Sequence, residues 1–310
     1  MSNMIDLFSE VAELWKADKR RYVKKSSYAI YLIHLNKHLL PFFGSGGAPS
    51  EEDIQAFVDQ QIEEGMSIST IQSSLLVLNM ILNFGEKAGR WPHVLYSVHY
   101  PTSSKRRREI EVLTKEQQKK LATHLDNNFS FRNLGIMICL MSGLRIGEIC
   151  ALQWKDLEVD GGVIHVNKTL QRIYLSDDGE REYILQVNTP KTVSSIRDIP
   201  ISRKLSRVVK PLRKVMNPDY YVITNTAEPL EPRYYRDYFT RLMKGLGLPP
   251  VRFHALRHSF ATRCIESRCD YKTVSTILGH ASLATTMDLY VHPGYDDKKR
   301  VIEKMSRAID

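Results

Sequence analysis

The chain has 310 residues, of which 43% are hydrophobic and 25% are charged, and these are the proportions of an ordinary globular protein. Its length favours two domains and is sufficient to bury a sizeable core. The four cysteines lack CxxC spacing and do not suggest a disulfide framework, and no apolar run reaches the roughly 18 residues of a membrane span. The N-terminus also lacks a basic segment followed by an apolar run, so the sequence predicts a cytoplasmic protein without a membrane partner.

Positive charge is concentrated in the later part of the chain. Residues 1–100 contain 9 Lys and Arg against 11 Asp and Glu, whereas residues 101–310 contain 35 against 24, and the total is +9. Six of the first nine basic residues nevertheless lie together in residues 16–25, KADKRRYVKK. A basic chain is compatible with a polyanionic partner. A solvated helix face explains the early basic stripe as well as contacts to phosphate do.

The first hundred residues predict a small all-helical domain. Apolar side chains recur at helical spacing over 5–15 and again over 28–39, after which Pro41 is expected to end the second helix. The sequence GSGGAPS at 44–50 predicts a turn, and a fourth helix is predicted over about 69–87.

Two capping patterns mark the starts of predicted helices. Ser50 with Asp53 precedes the third helix of the first domain, and Thr114 with Gln117 opens the second domain. In each pair the first side chain can accept a bond from the amide three residues on. At the other end of the chain, residues 296–310 place apolar side chains on one face of a last helix. That face could pack on its own domain or on a neighbouring protomer.

The second domain changes its pattern between residues 163 and 201. Four runs there, VIHV, IYL, YILQV and RDIPI, predict a small antiparallel sheet inserted between helices. The fold class is therefore mainly α with a small antiparallel β-sheet. The predicted boundaries are 1–100 for the helical domain, 101–111 for a basic linker that contains PTSSKRRR, and 112–310 for the mixed α+β domain. The linker is either a solvated tether or a basic strap along a DNA backbone.

A series of side chains suited to phosphodiester chemistry ends the chain. The sequence FHALRHSFAT supplies His254 and Arg257, LGHAS supplies His280, and TTMDLY supplies Tyr290. Well upstream, GLRIGE supplies Arg145 in a glycine-flanked turn. Guanidinium forks match phosphate oxygens in shape and charge, and a tyrosine can form a covalent intermediate. These residue types together favour attack on a phosphodiester.

The two histidines of HALRH also allow other interpretations. His254 and His258 lie four residues apart and so share one face of a helix, a spacing that metal ligands also use. HALRH lacks the glutamate of a zinc-protease helix, and Cys264 and Cys269 are wrongly spaced for a zinc finger. We therefore expect no metal here. A surface or packed histidine pair remains an alternative for this segment alone, and we expect His258 to be structural.

The motifs GLRIGE, HALRHSFAT, LGHAS and TTMDLY, in this order, resemble the catalytic domain of the tyrosine recombinase (phage integrase) superfamily. The resemblance covers roughly residues 112–292, and the helical first domain fits the core-binding domain of that family. It implies a double-stranded DNA partner with inverted-repeat core sites and a homotetramer on synapsed DNA. It further implies a monomer or weak oligomer when free, and no metal or other cofactor.

The resemblance assigns a role to each residue that matches a motif. It implies that Arg145 and Arg257 clamp the scissile phosphate, that His254 is a phosphate ligand and acid/base participant, and that His280 hydrogen-bonds the phosphate. Tyr290 matches the nucleophile, which would form a 3′-phosphotyrosine and release a 5′-hydroxyl.

Four further residues are weighed against these motifs. The sequence TPKTVSSIRDIPI resembles the family's lysine hairpin, so Lys191 matches the general acid, with Lys168 as its nearest competitor. Glu148 matches an acidic position that supports the site from behind, and it is equally explained as a helix-start carboxylate. Tyr295, which follows a Pro-Gly turn, is expected to be a packing residue.

The biological role stays open at this stage. The lysine hairpin is more similar to integrases of mobile elements than to Xer proteins, which predicts integration or excision of such an element. A DNA invertase, an Xer-like resolvase and a non-catalytic DNA-binding regulator are the alternatives. A metal-dependent nuclease is disfavoured, because the motifs lack carboxylate clusters. Larger integrases carry an N-terminal arm-binding domain, and the early start of the first helix is expected to leave no room for one.

Overall fold

The structure is a computed structural model, and it describes residues 7–101, 110–175, 182–190, 192–291, 295–307 and 309. The backbone divides into two compact units, one of residues 1–107 with 173–184 and the other of residues 108–172 with 185–310. Most of the predicted basic linker and the candidate general acid Lys191 lie outside the described residues.

The first unit contains helices that close around one apolar core. The helices are α1 (Phe8–Lys19), α2 (Lys25–His34), α3 (Leu40–Phe43), α4 (Glu51–Glu63) and α5 (Ile68–Lys87). Large side chains from several of them, such as Trp15, Phe57 and Leu78, are fully buried. Ser50 caps α4 through a reciprocal pair of bonds with Asp53, which confirms the capping pattern.

The prediction that Pro41 ends the second helix is wrong. A π-helical segment, Leu35–Leu39, joins α2 to α3, and Pro41 lies in the first turn of α3. A proline is tolerated in the first turn because its missing amide hydrogen would have no intrahelical partner there. The helical path therefore continues to Phe43.

Helix α5 is the longest of the first unit and is strongly apolar. By length and composition alone it could cross a membrane, although the sequence offers no uninterrupted apolar run of that length. Ile71, Leu78 and Ile81 are each 0% exposed and belong to the core of this unit. We therefore assign α5 as a core helix.

The second unit combines helices with small β-sheets, although residues 173–184 of the β region are grouped with the first unit. The helices are α6 (Lys115–Asn127), α7 (Phe131–Ser142), α8 (Ile146–Ala151), α9 (Arg203–Val215), α10 (Pro232–Gly245), α11 (Ala255–Glu266), α12 (Tyr271–Leu278), α13 (Leu283–Tyr290) and α14 (Tyr295–Ser306). Thr114 and Gln117 form the predicted capping box at the start of α6. Trp154, Tyr235 and Phe239 are among the fully buried side chains of its core.

The predicted β region forms two sheets rather than one. Strands β1 (Leu157–Glu158), β2 (Val163–Val166) and β5 (Arg197–Pro200) form an antiparallel sheet in the order β1-β2-β5, and β3 (Thr169–Leu175) pairs with β4 (Glu182–Asn188). Ile164 and Ile199 face each other across β2 and β5, and both side chains are buried. Arg197, a member of the candidate active site, is the first residue of β5.

Candidate active site

The turn between α7 and α8 positions Arg145. Gly143 ends α7 with φ of 67°, a left-handed conformation that glycine adopts without steric cost. A Cβ atom there would also lie only 2.7 Å from the Phe260 ring. The sharp reversal places Arg145 directly before α8, where its backbone N–H donates to Glu148 Oε2 at 2.8 Å.

Three arginine side chains converge on the C-terminal end of α12. The last carbonyls of a helix lack intrahelical partners and carry partial negative charge, which favours cationic donors. The three bonds are Arg197 Nε to Ile277 O, Arg257 Nη2 to Leu278 O at 2.7 Å, and Arg145 Nη2 to Gly279 O at 3.0 Å. Successive carbonyls thus hold three guanidinium groups side by side.

Gly279 is required for this arrangement. Its φ of 66° reverses the chain after α12, and an added Cβ would lie 2.9 Å from Ser194 O and 3.0 Å from the Arg197 side chain. Because the reversal follows directly after the carbonyls that hold the arginines, it places His280 beside them. The LGH motif therefore combines a helix end, a glycine turn and a histidine.

Arg257 is the most buried of the three arginines, with only 2% of its surface exposed. Its Nη1 donates to Gly143 O at 2.9 Å, so carbonyls from two elements fix the plane of the guanidinium group. Burial, followed by the positive charge of Arg145, lowers the pKa of Arg257, but a guanidinium group stays protonated at neutral pH. The result is a rigid, buried cation.

Glu148 balances part of this positive charge. Its two carboxylate oxygens accept bonds from Arg145 Nη1 at 2.9 Å and from Arg197 Nη1 and Nη2 at 3.0 and 2.9 Å, in addition to the Arg145 amide. Burial alone would raise the pKa of Glu148, but the hydrogen bonds and charges of Arg197 and Arg145 bring it below its usual value. Glu148 therefore makes both kinds of bond that were expected of it. Its carboxylate supports the Arg145 guanidinium group, and it accepts a bond from the Arg145 amide at the start of α8.

Arg197 was not among the site residues predicted from the sequence. It is 7% exposed and forms a two-pronged ion pair with Glu148. The sequence signal for Arg197 was the segment SIRDIPI, in which an arginine begins a strand of otherwise alternating pattern. Its partner Glu148 lies 49 positions earlier in the chain, so nothing near SIRDIPI in the sequence indicates the ion pair.

The candidate histidines are all predominantly neutral at neutral pH. His254 is open to solvent at the start of α11, yet desolvation and the neighbouring His258 and Arg257 lower its pKa to about 4. Burial and Arg257 likewise lower the pKa of His280 to about 4, and its Nδ1 lies 2.8 Å from Thr286 Oγ1. A neutral imidazole keeps one N–H, so each ring can still donate to a phosphate oxygen.

Tyr290 lies at the end of α13 among these groups. Only 7% of its surface is exposed, and burial raises the pKa of its phenol. His258 Nδ1 lies 2.7 Å from the phenolic oxygen, and the His280 ring lies parallel to the tyrosine ring at 6.4 Å. The structure therefore brings His258, which was expected to be structural, into contact with the candidate nucleophile.

Two further predictions have different outcomes. Tyr295 is 80% exposed at the start of α14, so the prediction that it packs is wrong. Lys168, the competitor of Lys191, lies 2.7 Å from Asp156 Oδ2 and also donates to Gln153 Oε1 at 2.7 Å. Lys168 is thus held in an ion pair at the edge of the core. Among the described residues, no three His, Cys, Asp or Glu side chains form a group that could hold a metal ion.

Protein stability is expected to fall as the pH is lowered from 7 to 5. His254, His258 and His280 have a pKa of about 4 in the folded chain, against about 6.5 when unfolded. The unfolded chain therefore binds more protons in this window, and the stabilisation present above pH 6.5 is lost as the pH falls. We expect a loss of about 2 kcal/mol in the free energy of unfolding after allowing for solvent screening, measured by urea denaturation.

Two variants separate this effect from general acid sensitivity. His258→Asn combined with His280→Asn should reduce the dependence of the urea midpoint on pH. His165→Asn is the matched control, because hydrogen bonding to Asp198 raises the pKa of His165, which therefore stabilises at low pH. An unchanged pH dependence in the double variant contradicts the assignment.

The two units and the side chains gathered around Tyr290 define a class of protein, the tyrosine recombinases. The chain belongs to the phage integrase family, whose profile matches residues 111–296, more than half of the chain. A second profile, the N-terminal SAM-like domain of phage integrases, matches residues 7–45. The resemblance inferred from the four motifs is thereby confirmed.

Individual relatives show the same similarity at low sequence identity. The chain is 24% identical to a XerC-like tyrosine recombinase of Caldanaerobacter subterraneus subsp. tengcongensis over 280 residues, 82% of this chain and 70% of the relative. The Tn1549 transposon integrase, solved with transposon right-end DNA, matches with a TM-score of 0.75 at 21% identity and covers 96% of this chain and 99% of that one. Lambda integrase, solved as a tetramer on a Holliday junction, matches with a TM-score of 0.60 at 19% identity, covering 95% and 81%. The two solved structures establish the fold.

Proposed function

We propose that this chain is a site-specific DNA recombinase that cuts and rejoins strands through a covalent 3′-phosphotyrosine intermediate. The observation that carries the proposal is that Arg145 and Arg257 at the end of α12 lie in one cluster with three histidines and the buried Tyr290. Membership of the phage integrase family and the DNA-bound relatives support it. The chemistry would be that of a type IB topoisomerase, extended to strand exchange.

Tyr290 is the proposed nucleophile. Its phenolic oxygen attacks the scissile phosphorus, the bond to the 5′-oxygen breaks, and a 5′-hydroxyl leaves. Arg145 and Arg257 bind the non-bridging oxygens, because fixed guanidinium donors stabilise the charge that grows on a phosphorane-like transition state. His254 and His280 donate hydrogen bonds to the same phosphate, a role that their neutral rings can perform.

Lys191 is the proposed general acid for the leaving 5′-oxygen. It follows Thr189 and Pro190 in the segment that resembles the family's lysine hairpin. The ion pair of Lys168 with Asp156 supports this choice, because that lysine is already engaged.

The proposed reaction needs neither a metal nor ATP. Each cleaved phosphodiester becomes a phosphotyrosine ester, so the attack of a 5′-hydroxyl reverses the first step without an external energy source. The positive field of the arginines and the lysine supplies the charge stabilisation that a metal ion supplies in other nucleases.

The proposed biological role is the integration and excision of a mobile element. The proposed organisation is a core-binding domain over 1–100, a basic linker over 101–111 and a catalytic domain over 112–310. The resemblance of TPKTVSSIRDIPI to mobile-element integrases supports this role. An invertase or an Xer-like resolvase would use the same chemistry. A regulator that keeps the fold without catalysis is less well supported, because the described candidate catalytic side chains are gathered in one site.

A nicked suicide substrate tests the proposed chemistry. Wild-type protein should form a covalent protein–DNA adduct that resists denaturation, because loss of a short 5′-hydroxyl fragment prevents rejoining. Tyr290→Phe should form none, since the nucleophilic oxygen is absent, whereas Tyr295→Phe serves as the matched control and should react normally. Excess chelator should leave the yield unchanged. Absence of an adduct on every DNA site that the wild-type protein binds would favour the non-catalytic regulator.

We also propose that four protomers assemble on synapsed inverted-repeat sites and that free protein is a monomer or weak oligomer. The tetrameric relative supports this proposal. Helix α14 supplies an unoccupied apolar face, since Val301 is 66%, Ile302 is 62% and Met305 is 51% exposed. Docking of α14 on a neighbouring protomer would bury that face.

Removal of the residues after Pro293 is expected to abolish cooperative assembly on paired sites. Sedimentation of protein–DNA complexes measures this, and Ile302→Ser should weaken assembly in the same direction by removing apolar contact. Lys304→Ser on the same helix is the matched control. Unchanged synapsis by the truncated protein would show that α14 is not the coupling element.

A further inference from the structure

His258 touches the reacting atom of the proposed nucleophile. It lies on α11, four residues after His254, and its Nδ1 is 2.7 Å from the phenolic oxygen of Tyr290. The two rings are tilted by 53° with their centroids 5.6 Å apart, so the contact is a directed hydrogen bond rather than a ring stack. Neither the four motifs nor the resemblance assigns a chemical role to this residue.

The protonation states permit the phenol to donate that bond. Burial and the positive charges of Arg257 and Arg252 lower the pKa of His258 to about 4, and Glu111 opposes them more weakly. Burial raises the pKa of Tyr290. At neutral pH a neutral phenol therefore faces a neutral imidazole. With the ring proton on Nε2, the unprotonated Nδ1 accepts the bond from the phenolic O–H, and this is the tautomer that we assign.

His254 occupies a different position in the same cluster. Its ring meets that of His258 edge-on at 4.6 Å, and it lies on the solvent-exposed side of the pair. His258, the less exposed ring of the pair, makes the bond to the phenolic oxygen of Tyr290. The geometry thus separates two roles that one histidine would otherwise share, phosphate binding by His254 and contact with the nucleophile by His258.

We infer that His258 is a catalytic residue that accepts the phenolic proton of Tyr290 when the tyrosine attacks and returns it when the strand is rejoined. The inference rests on the proposed recombinase function and deepens it. During cleavage the Tyr290 O–H bond breaks, its proton moves to Nδ1, and the oxygen forms the new bond to phosphorus. The bond to the 5′-oxygen breaks, and that oxygen takes a proton from the general acid. On rejoining, the imidazolium protonates the departing phenolic oxygen.

The negative charge of bound DNA explains how the weakly basic imidazole of His258 can accept a proton. An imidazole that is buried beside Arg257 is a poor base in the free protein. The scissile phosphate carries negative charge into the site, and a nearby opposite charge favours the protonated form of a histidine. DNA binding would therefore raise the basicity of His258 at the moment when it is needed.

Single-turnover cleavage of the suicide substrate across a pH series tests the inference. His258→Asn places an amide oxygen near the position of Nδ1, so it can still accept the hydrogen bond but cannot hold the proton. We expect it to lower the cleavage rate about 10²-fold at neutral pH, the usual size of a general-base contribution. We also expect the rate to rise with pH where the wild-type rate is level, because hydroxide then replaces the base.

Further variants keep the result interpretable. His165→Asn is the control for loss of a histidine elsewhere in the second unit, because the His165 ring bonds the exposed side chains of Asp198 and Glu158. A substrate with sulfur in place of the bridging 5′-oxygen needs no general acid, because a thiolate leaves unaided. Such a substrate should not restore His258→Asn, whereas it should restore a variant that lacks the general acid.

The outcomes separate failure of the inference from failure of the proposed function. Wild-type cleavage together with an unchanged rate and pH profile in His258→Asn overturns the role of His258 and leaves the recombinase intact. Absence of wild-type cleavage overturns the recombinase function, and the role of His258 with it. Restoration of His258→Asn by the sulfur substrate also overturns the inference, because it would place His258 on the leaving-group side.

Discussion

Replacing Arg257 with lysine is expected to lower the rate of DNA cleavage by about 10³-fold, the loss typical of removing a fixed donor to a transition-state oxyanion. Arg257 spans Gly143 O and Leu278 O with two separate nitrogens, and its guanidinium plane is fixed by both. A lysine ammonium group keeps the charge but offers one point of contact in place of a planar fork. It cannot hold both carbonyls and also present paired donors to a phosphate.

Arg252→Lys is the matched control for this change. Arg252 lies just before α11, and its Nε bonds Glu111 Oε2 at 3.3 Å on a side chain that is 77% exposed. A lysine can keep such an ion pair, so single-turnover cleavage should stay near the wild-type rate. Circular dichroism and the thermal midpoint show whether Arg257→Lys remains folded. Equal cleavage rates for the two variants would contradict the role proposed for Arg257.

Local patterns predicted much of the architecture, because they depend on interactions close in sequence. The capping boxes at Ser50 and Thr114 and the amphipathic periodicity that becomes α5 are confirmed. The predictions that failed concern segments whose structure is determined by tertiary contacts rather than by local sequence. Pro41 lies in a new first turn after a π-helical segment, and the two-residue strand β1 is too short to show a period of two.

The residues of the candidate site fall into the same two groups, those marked by local sequence motifs and those placed by tertiary contacts. Arg145, Arg257, His254, His280 and Tyr290 were identified because each belongs to a short motif, and the structure brings them together. Two other members, Arg197 and His258, owe their positions to contacts over long sequence separations.

For Arg197 the missing information was the bond to Glu148, 49 residues away, and for His258 it was the bond to Tyr290, 32 residues away. No periodicity in a single sequence records such pairs. His258 was expected to be structural and Arg197 was not singled out, because only the fold places their partners beside them.

Replacing Glu148 with alanine is expected to have the largest effect on stability, a loss of about 3–5 kcal/mol in the free energy of unfolding of the second unit. Glu148 is 4% exposed and Arg197 is 7% exposed, so removal of the carboxylate leaves a buried guanidinium group without its counterion. Urea denaturation measures the loss. Glu158→Ala, which removes a carboxylate that is 58% exposed and pairs with His165, is the control and should change stability by less than about 0.5 kcal/mol.

A double variant separates the two consequences of this change. Glu148→Gln with Arg197→Gln removes both buried charges, so it should be more stable than Glu148→Ala, because the main penalty is the unpaired charge rather than the lost attraction. Cleavage should nevertheless stay low in the double variant. Arg145 still loses the carboxylate that holds its Nη1 at 2.9 Å, and its guanidinium group is no longer fixed beside Arg257. Recovered stability with recovered cleavage would show that Glu148 acts through folding alone, whereas recovered stability without cleavage assigns it to the positioning of Arg145.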